Sequence, residues 1–219
     1  MKLQLFGHPF SSYTMKALVA LYENQTPFEF RMLGPDHPDN GAELARRWPV
    51  AKFPLLVDGD TSVFETSAII EHLAAFHAGP VTLIPADAKA AVRVRMLDRV
   101  FDNHVMMPMQ AIVSDALRPD SDRDPTGVAE ARVALDTIYA WLDHVLKGRH
   151  WAVGDGFTLA DAAASPALFY ADWVHPIGAD RATLRGYRAC LLARPSFARC
   201  VDEARPYRSL FPLGAPDRD

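Results

Sequence analysis

The loop Phe10-Ser11-Ser12-Tyr13-Thr14 lies between an alternating stretch, Lys2 to Phe6, and a run at helical spacing, Met15, Leu18, Val19 and Tyr22. A helix N-terminus carries unpaired N–H groups and partial positive charge. A hydroxyl placed there can donate a hydrogen bond to a bound thiolate, although capping alone also accounts for Ser and Thr at this point. The second stretch is Pro54, which opens the apolar run Leu55-Leu56-Val57. Proline has no N–H and is expected at the start or edge of a strand. A cis bond would turn Phe53 outward, so that its backbone could pair with an extended, peptide-like ligand. An ordinary trans bond is the more frequent state. The third stretch is Glu65-Thr66, just ahead of Ile69, Leu73 and Phe76. Thr66 is an N-cap whose helix end can receive an anion, and Glu65 can take an ammonium. A first-turn acid and a plain cap explain the same pair.

These residues need a scaffold. Lys2 to Phe6 reads as a strand, the run after Thr14 as a helix, and Phe28 to Leu33 as a second strand. A loop over Gly34 to Gly41 and a weak helix over Ala42 to Trp48 follow. Asp58-Gly59-Asp60 signals a hairpin between Phe53–Val57 and Ser62–Phe64, and a helix starts near Thr66. The order is βαβ, with a right-handed crossover expected, then a hairpin covered by a helix. Gly79, Pro80 and Pro85 mark a boundary. The reading is residues 1–78 as one α/β domain, 79–86 as linker and 87–219 as an all-helical domain. Helices are expected over Asp87–Met107, Thr126–Lys147, Arg181–Leu192 and Ser196–Ala204. Thr158-Leu-Ala-Asp161 is a capping box ahead of an alanine-rich helix. The tail from Pro206 reads as irregular.

Composition narrows the function. The chain has 219 residues, 49% hydrophobic and 23% charged, with a net charge of −4. No basic field points to nucleic acid. No apolar run reaches the length of a spanning helix, and the N-terminus lacks a signal-peptide pattern. Cys190 and Cys200 form no C-x-x-C pair, so a redox pair, a disulfide framework and a zinc ribbon are unsupported. A reduced, cytoplasmic protein is expected. No metal site is read from His72 and His77, since a spacing of five is poor for two ligands on one helix face.

The stretches PFSSYTMKALVAL, PVAKFPLLVDGD, VFETSAIIEHL and GDGFTLADAAA occur in the order in which the cytosolic glutathione S-transferases carry their motifs. The chain resembles that family over nearly its whole length. It is most similar to the bacterial serine and cysteine branches (theta, zeta and beta-like). The resemblance implies a thioredoxin-like α/β N-terminal domain, an all-α C-terminal domain, a cis Pro54 and a homodimer. It implies glutathione as co-substrate, with no metal, and a hydrophobic electrophile as second substrate. Ser11, or Ser12 with a gap, would donate to the sulfur. Phe53 would pair its backbone with the cysteinyl unit, Thr66 would hold the γ-glutamyl carboxylate, Glu65 the ammonium and Lys52 the glycyl carboxylate. Tyr13 is a poorer match, and no cysteine stands in the loop. Trp48 and Ala51 depart from the family's usual Asn and Gly before the third strand, while Lys52 is retained.

The electrophile pocket is expected from the helical domain, with His104, Met107, Tyr170 and Trp173 as its candidates and Met106 and Met109 beside them. Core packing explains the same apolar residues. A peroxidase, dehalogenase or isomerase on the same scaffold is the first alternative, since fold alone does not separate these. The loop lacks the Ser-Ser-Cys-x-Trp-Arg run of zeta-like isomerases. A non-catalytic glutathione-binding protein is the second alternative.

Overall fold

The computed structural model describes residues 2–219. Four strands, β1 (Leu3–Gly7), β2 (Phe28–Met32), β3 (Leu55–Asp58) and β4 (Thr61–Val63), form one sheet in the order β2-β1-β3-β4. β1 pairs parallel with β2, Leu5 opposite Phe30, and antiparallel with β3, Leu5 opposite Leu56. β3 and β4 close a hairpin at Gly59, whose φ of +58° suits glycine. The period of two in β1 divides its side chains. Leu3 and Leu5 join the main core with α1 (Ser12–Glu23) and α3 (Thr66–Phe76). Phe6 faces a smaller core with Leu33, Leu55, Val57 and Leu44 of α2 (Pro38–Arg47).

α2 departs from the expected Ala42–Trp48. It begins at Pro38, and among its residues only Leu44 is buried. A proline in the first turn costs no hydrogen bond. With one apolar anchor the helix shows little periodicity, so its first turn reads as loop.

The helical part comprises α4 (Ala88–Val100), α5 (Met107–Ala116), α6 (Pro125–Val145), α7 (Leu159–Val174), α8 (Ala182–Ala193) and α9 (Pro195–Ala204). α4 and α5 are joined by a π-helical stretch, Phe101–Met106, so the rod expected to stop at Met107 runs on to Ala116. Pro108 explains the wide turn. Its ring would collide with the carbonyl four residues back in a regular helix. Here Met107 N–H instead bonds Asp102 O, five residues back. The tail is more regular than expected, with a 3₁₀ stretch over Arg205–Leu210.

α7 is the axis of the helical part. Asp161, fully buried, accepts from Ala152 N (2.8 Å), Thr158 N (2.9 Å), Thr158 Oγ1 (2.9 Å) and Tyr187 Oη (2.7 Å). This completes the capping box and ties α7 to α8. No helix among the described residues is long and apolar enough to cross a membrane.

Candidate active site

Ser11 is the N-cap of α1, and its Oγ accepts from Thr14 N at 3.3 Å. Its own proton stays free to donate, and accepting a bond polarises a hydroxyl for donation. Ser12 is different. It is buried, and its Oγ accepts from Gln110 Nε2 of α5 at 3.3 Å. Gly7, at the end of β1, lets α1 come close: a Cβ there would lie 2.6 Å from Thr14 Cγ2.

The loop before Ser11 is held from the helical part. Tyr170 donates from its Oη to Phe10 O at 2.8 Å. The Phe10 ring packs against Tyr170, Trp173 and Phe211. These contacts set Tyr170 and Trp173 apart from the other two candidates for the electrophile pocket. Tyr170 is 3% exposed and Trp173 packs against the core, so both serve as supports for the Ser11 loop rather than as walls of an open cavity. His104 and Met107 are solvent-exposed on the π stretch and at the start of α5. The four residues therefore do not share one pocket.

A cavity of about 220 Å³ does open beside Tyr13, between the two parts of the chain. One side is Lys52, Phe53 and Pro54, and the Phe53–Pro54 peptide bond is cis. Another is Glu65, Thr66 and Ser67 at the start of α3. Trp48 and Phe64 stack at 4.3 Å between ring centroids and form an aromatic wall. Thr66 donates from Oγ1 to Tyr13 O at 3.5 Å, which links the starts of α1 and α3. Glu65 sits at φ +65°, ψ 114°. A non-glycine residue rarely adopts that conformation, and such strain collects at functional sites. Lys52, Phe53, Pro54, Glu65 and Thr66 are thus brought together, while Ser11 and Ser12 stand beside the cavity rather than in its lining.

Sequence reasoning missed the helical part's share of this cavity: Arg99, Asp102 and Asn103. Beneath them lies Lys16, fully buried, whose Nζ donates to Asp98 Oδ1 (2.6 Å), Asp102 Oδ2 (2.7 Å) and Ser67 Oγ (2.9 Å). All three ammonium protons are used. Arg99 Nη2 lies 2.7 Å from both carboxylates. Asp102 Oδ1 is buried at the cavity wall with no partner. Burial is the main cause that holds the Asp102 carboxyl above the usual carboxylate range, against the pull of Lys16. Burial, with Asp102 next, pushes the Tyr13 phenol up to about 12, so Tyr13 is neutral at physiological pH. The site therefore offers an unspent acceptor, a pair of cations (Lys52, Arg99), a pair of anions (Glu65, Asp102) and the exposed Phe53. That inventory suits a small zwitterionic peptide.

A second grouping corrects the spacing argument about histidines. His72 is in α3, but His77 is its C-cap, with φ −135° and ψ 43°, so the two do not follow one helical register. Both Nε2 atoms reach Asp58 Oδ2, at 2.9 and 2.7 Å.

The comparisons with known proteins agree with the fold. Residues 5–81 match the glutathione S-transferase N-terminal domain and residues 105–195 the C-terminal domain. "Glutathione S-transferase 3" of Zea mays is 31% identical over 215 residues, spanning 91% of this chain and 93% of the maize protein. "Glutathione S-transferase GstB" of Escherichia coli K12 is 26% identical over 203 residues, 91% of this chain and 97% of that one. A crystal structure of a Methylobacterium radiotolerans glutathione S-transferase in complex with glutathione sulfonate superimposes with a TM-score of 0.78 at 29% identity, covering 92% of this chain and 95% of that one. The fold and site define a two-domain protein with a thioredoxin-like α/β half and an all-helical half. The chain belongs to the glutathione S-transferase family.

Proposed function

We propose that this chain is a glutathione S-transferase that binds glutathione in the cavity beside Tyr13 and uses Ser11 to stabilise its thiolate. The observation that carries this reading is the convergence of Tyr13 in the first turn of α1, the Lys52–Pro54 segment and the start of α3 on one cavity lined by both signs of charge. The relatives named above are glutathione S-transferases, and the Methylobacterium protein was solved with a glutathione analogue.

Glutathione carries two carboxylates, one ammonium and a thiol. Thr66 and the α3 amides hold the γ-glutamyl carboxylate, the pairing a helix N-terminus favours. Glu65 and the unpartnered Asp102 Oδ1 take the ammonium. Phe53 pairs its backbone with the cysteinyl unit, and Lys52 reaches the glycyl carboxylate. This points the sulfur toward Ser11, whose free proton it accepts. Ser12 also keeps its proton, but it is buried against Gln110 of α5, so the half-buried Ser11 is taken as the donor.

A free thiol has a pKa near 8.5, so at neutral pH most of it is protonated and unreactive. A hydroxyl donor and helix-end amides favour the charged form. A depression of about one to two units makes thiolate the main species. The thiol proton leaves to solvent, the sulfur lone pair forms a bond to the electrophilic carbon, and the leaving group departs with its electron pair. The electrophile is assigned to the exposed face of His104 and Met107. Gln110, one turn beyond Met107, reaches Ser12, so this face passes alongside the thiolate site. A homodimer is supported by Phe76 of α3 and Val92 and Met96 of α4, which are 72%, 66% and 51% exposed. The setting is a cytoplasmic one. The residues 1–78, 79–86 and 87–219 serve as glutathione-binding domain, linker and helical domain.

The test follows thiolate absorbance of bound glutathione against pH, in the native protein, Ser11→Ala and Ser12→Ala. The native complex is expected to ionise at least one unit below free glutathione, with reversion in Ser11→Ala alone. A native complex that ionises like free glutathione would sink the catalytic assignment.

A further inference from the structure

At the far end of α3 from the glutathione cavity, a carboxylate and two imidazoles converge with no role in the proposed reaction. Asp58 closes β3, His72 lies in the last turns of α3, and His77 caps that helix. Along α3, about 9 Å of helix separates Thr66 from His72 and about 16 Å separates it from His77. Asp58 Oδ2 stands 2.9 Å from His72 Nε2 and 2.7 Å from His77 Nε2, and one ligand atom from each residue falls within 4.8 Å of the others.

We propose that Asp58, His72 and His77 form a divalent transition-metal site, with Zn²⁺ as its ion and water completing the coordination. The donor set is of the kind Zn²⁺ selects, two imidazoles and a carboxylate. Zn–N and Zn–O bonds of about 2.0–2.2 Å place tetrahedral ligands about 3.3–3.5 Å apart. The two imidazole–carboxylate separations, 2.9 and 2.7 Å, fall short of that value by less than about 1 Å, so small side-chain shifts admit the ion between them. Access is open, with side chains 14% (His72), 30% (His77) and 27% (Asp58) exposed. The cluster joins the β3–β4 hairpin to the end of α3, where the chain leaves for the helical domain. A bound ion would cross-link those segments.

The experiment is equilibrium dialysis and calorimetric titration of tag-free protein with Zn²⁺, without glutathione, whose thiol competes for the metal. Co²⁺ is titrated in parallel for its visible absorption. The expected result is one ion per chain, cobalt bands of a four-coordinate N/O site and a rise in melting temperature. Asp58→Asn, His72→Gln and His77→Gln should each weaken binding at least tenfold, with unchanged far-UV circular dichroism. The six other histidines, His8, His37, His104, His144, His150 and His175, serve as the internal control. Binding without a stoichiometric endpoint, or binding that survives all three substitutions, overturns the proposal. Glutathione affinity should be unchanged in the variants, so this result and the transferase reading stand or fall separately.

Discussion

Replacement of Lys16 by methionine tests what the buried charges beneath the cavity do. Lys16 is 0% exposed, and its side chain bridges Asp98 and Asp102, themselves 2% and 9% exposed. Methionine matches the length and flexibility of the lysine stem, so Lys16→Met removes the charge with little change in packing. Removing one partner of a buried ion pair costs about 3–5 kcal/mol, because the remaining charge is left uncompensated. Arg99 still reaches both carboxylates at 2.7 Å, which sets the expectation near 3 kcal/mol, a large share of a stability of about 5–15 kcal/mol. The loss depends on pH with a definite sign. The Asp102 carboxyl is held above 3.8 in the folded state, chiefly by burial, and Lys16 opposes that shift. Between the unfolded and folded pKa values the native state binds more protons, so stability falls as pH rises through that window. Without Lys16 the folded pKa climbs further and the window widens upward. Urea midpoints at pH 5 and pH 8 should show the larger deficit at pH 8, and Asp98→Asn added to Lys16→Met should restore part of it. A deficit below about 1 kcal/mol, or one equal at both pH values, would refute the account of Lys16 as compensation for buried carboxylates.

Three further outcomes can be checked alongside. Asp161→Ala strands four donors that now converge on one carboxylate, and at about 1–3 kcal/mol per orphaned group, partly relieved by water, the loss should reach about 3–5 kcal/mol in urea denaturation. Glu65→Gly should be about 1 kcal/mol more stable than Glu65→Ala, because glycine alone is relaxed at φ +65°, while both weaken glutathione binding in a fluorescence titration; equal midpoints would show that the backbone there is not strained. Met96→Arg, on the exposed apolar face of α4, should shift sedimentation toward monomer, and an unchanged dimer would move the interface elsewhere.

The legible parts of the fold are those whose cause is local. β1 shows a period of two, α1 and α7 begin with caps, and Asp58-Gly59-Asp60 closes its hairpin with a left-handed glycine. α2 has one buried apolar residue, so no stripe marks its first turn. The rod from α4 through α5 runs past its expected end at Met107 although Pro108, a residue that normally stops a helix, follows. The π turn absorbs the proline and lets the helix run on to Ala116.

That same π turn explains why the helical part's share of the cavity was hidden. The stretches around Ser11, Pro54 and Glu65 announce themselves by residue type at element boundaries. Arg99 and Asp102 sit where an α-helical wheel loses phase, since the π stretch from Phe101 adds a residue to the turn. Their partners lie far off in the chain: Lys16 is 86 residues before Asp102. A lysine amid the apolar run Met15, Ala17, Leu18, Val19 was the available signal, because a charge at a core position demands a partner. It could announce the need for buried carboxylates without saying which. Tyr170 and Trp173 are ambiguous in sequence for the opposite reason. Aromatic residues on the helical domain's central helix fit a substrate wall or a support equally well by type, and only the bond from Tyr170 to Phe10 O shows that they hold the Ser11 loop. The helical half thus acts on the thiolate site chiefly through what it holds in place.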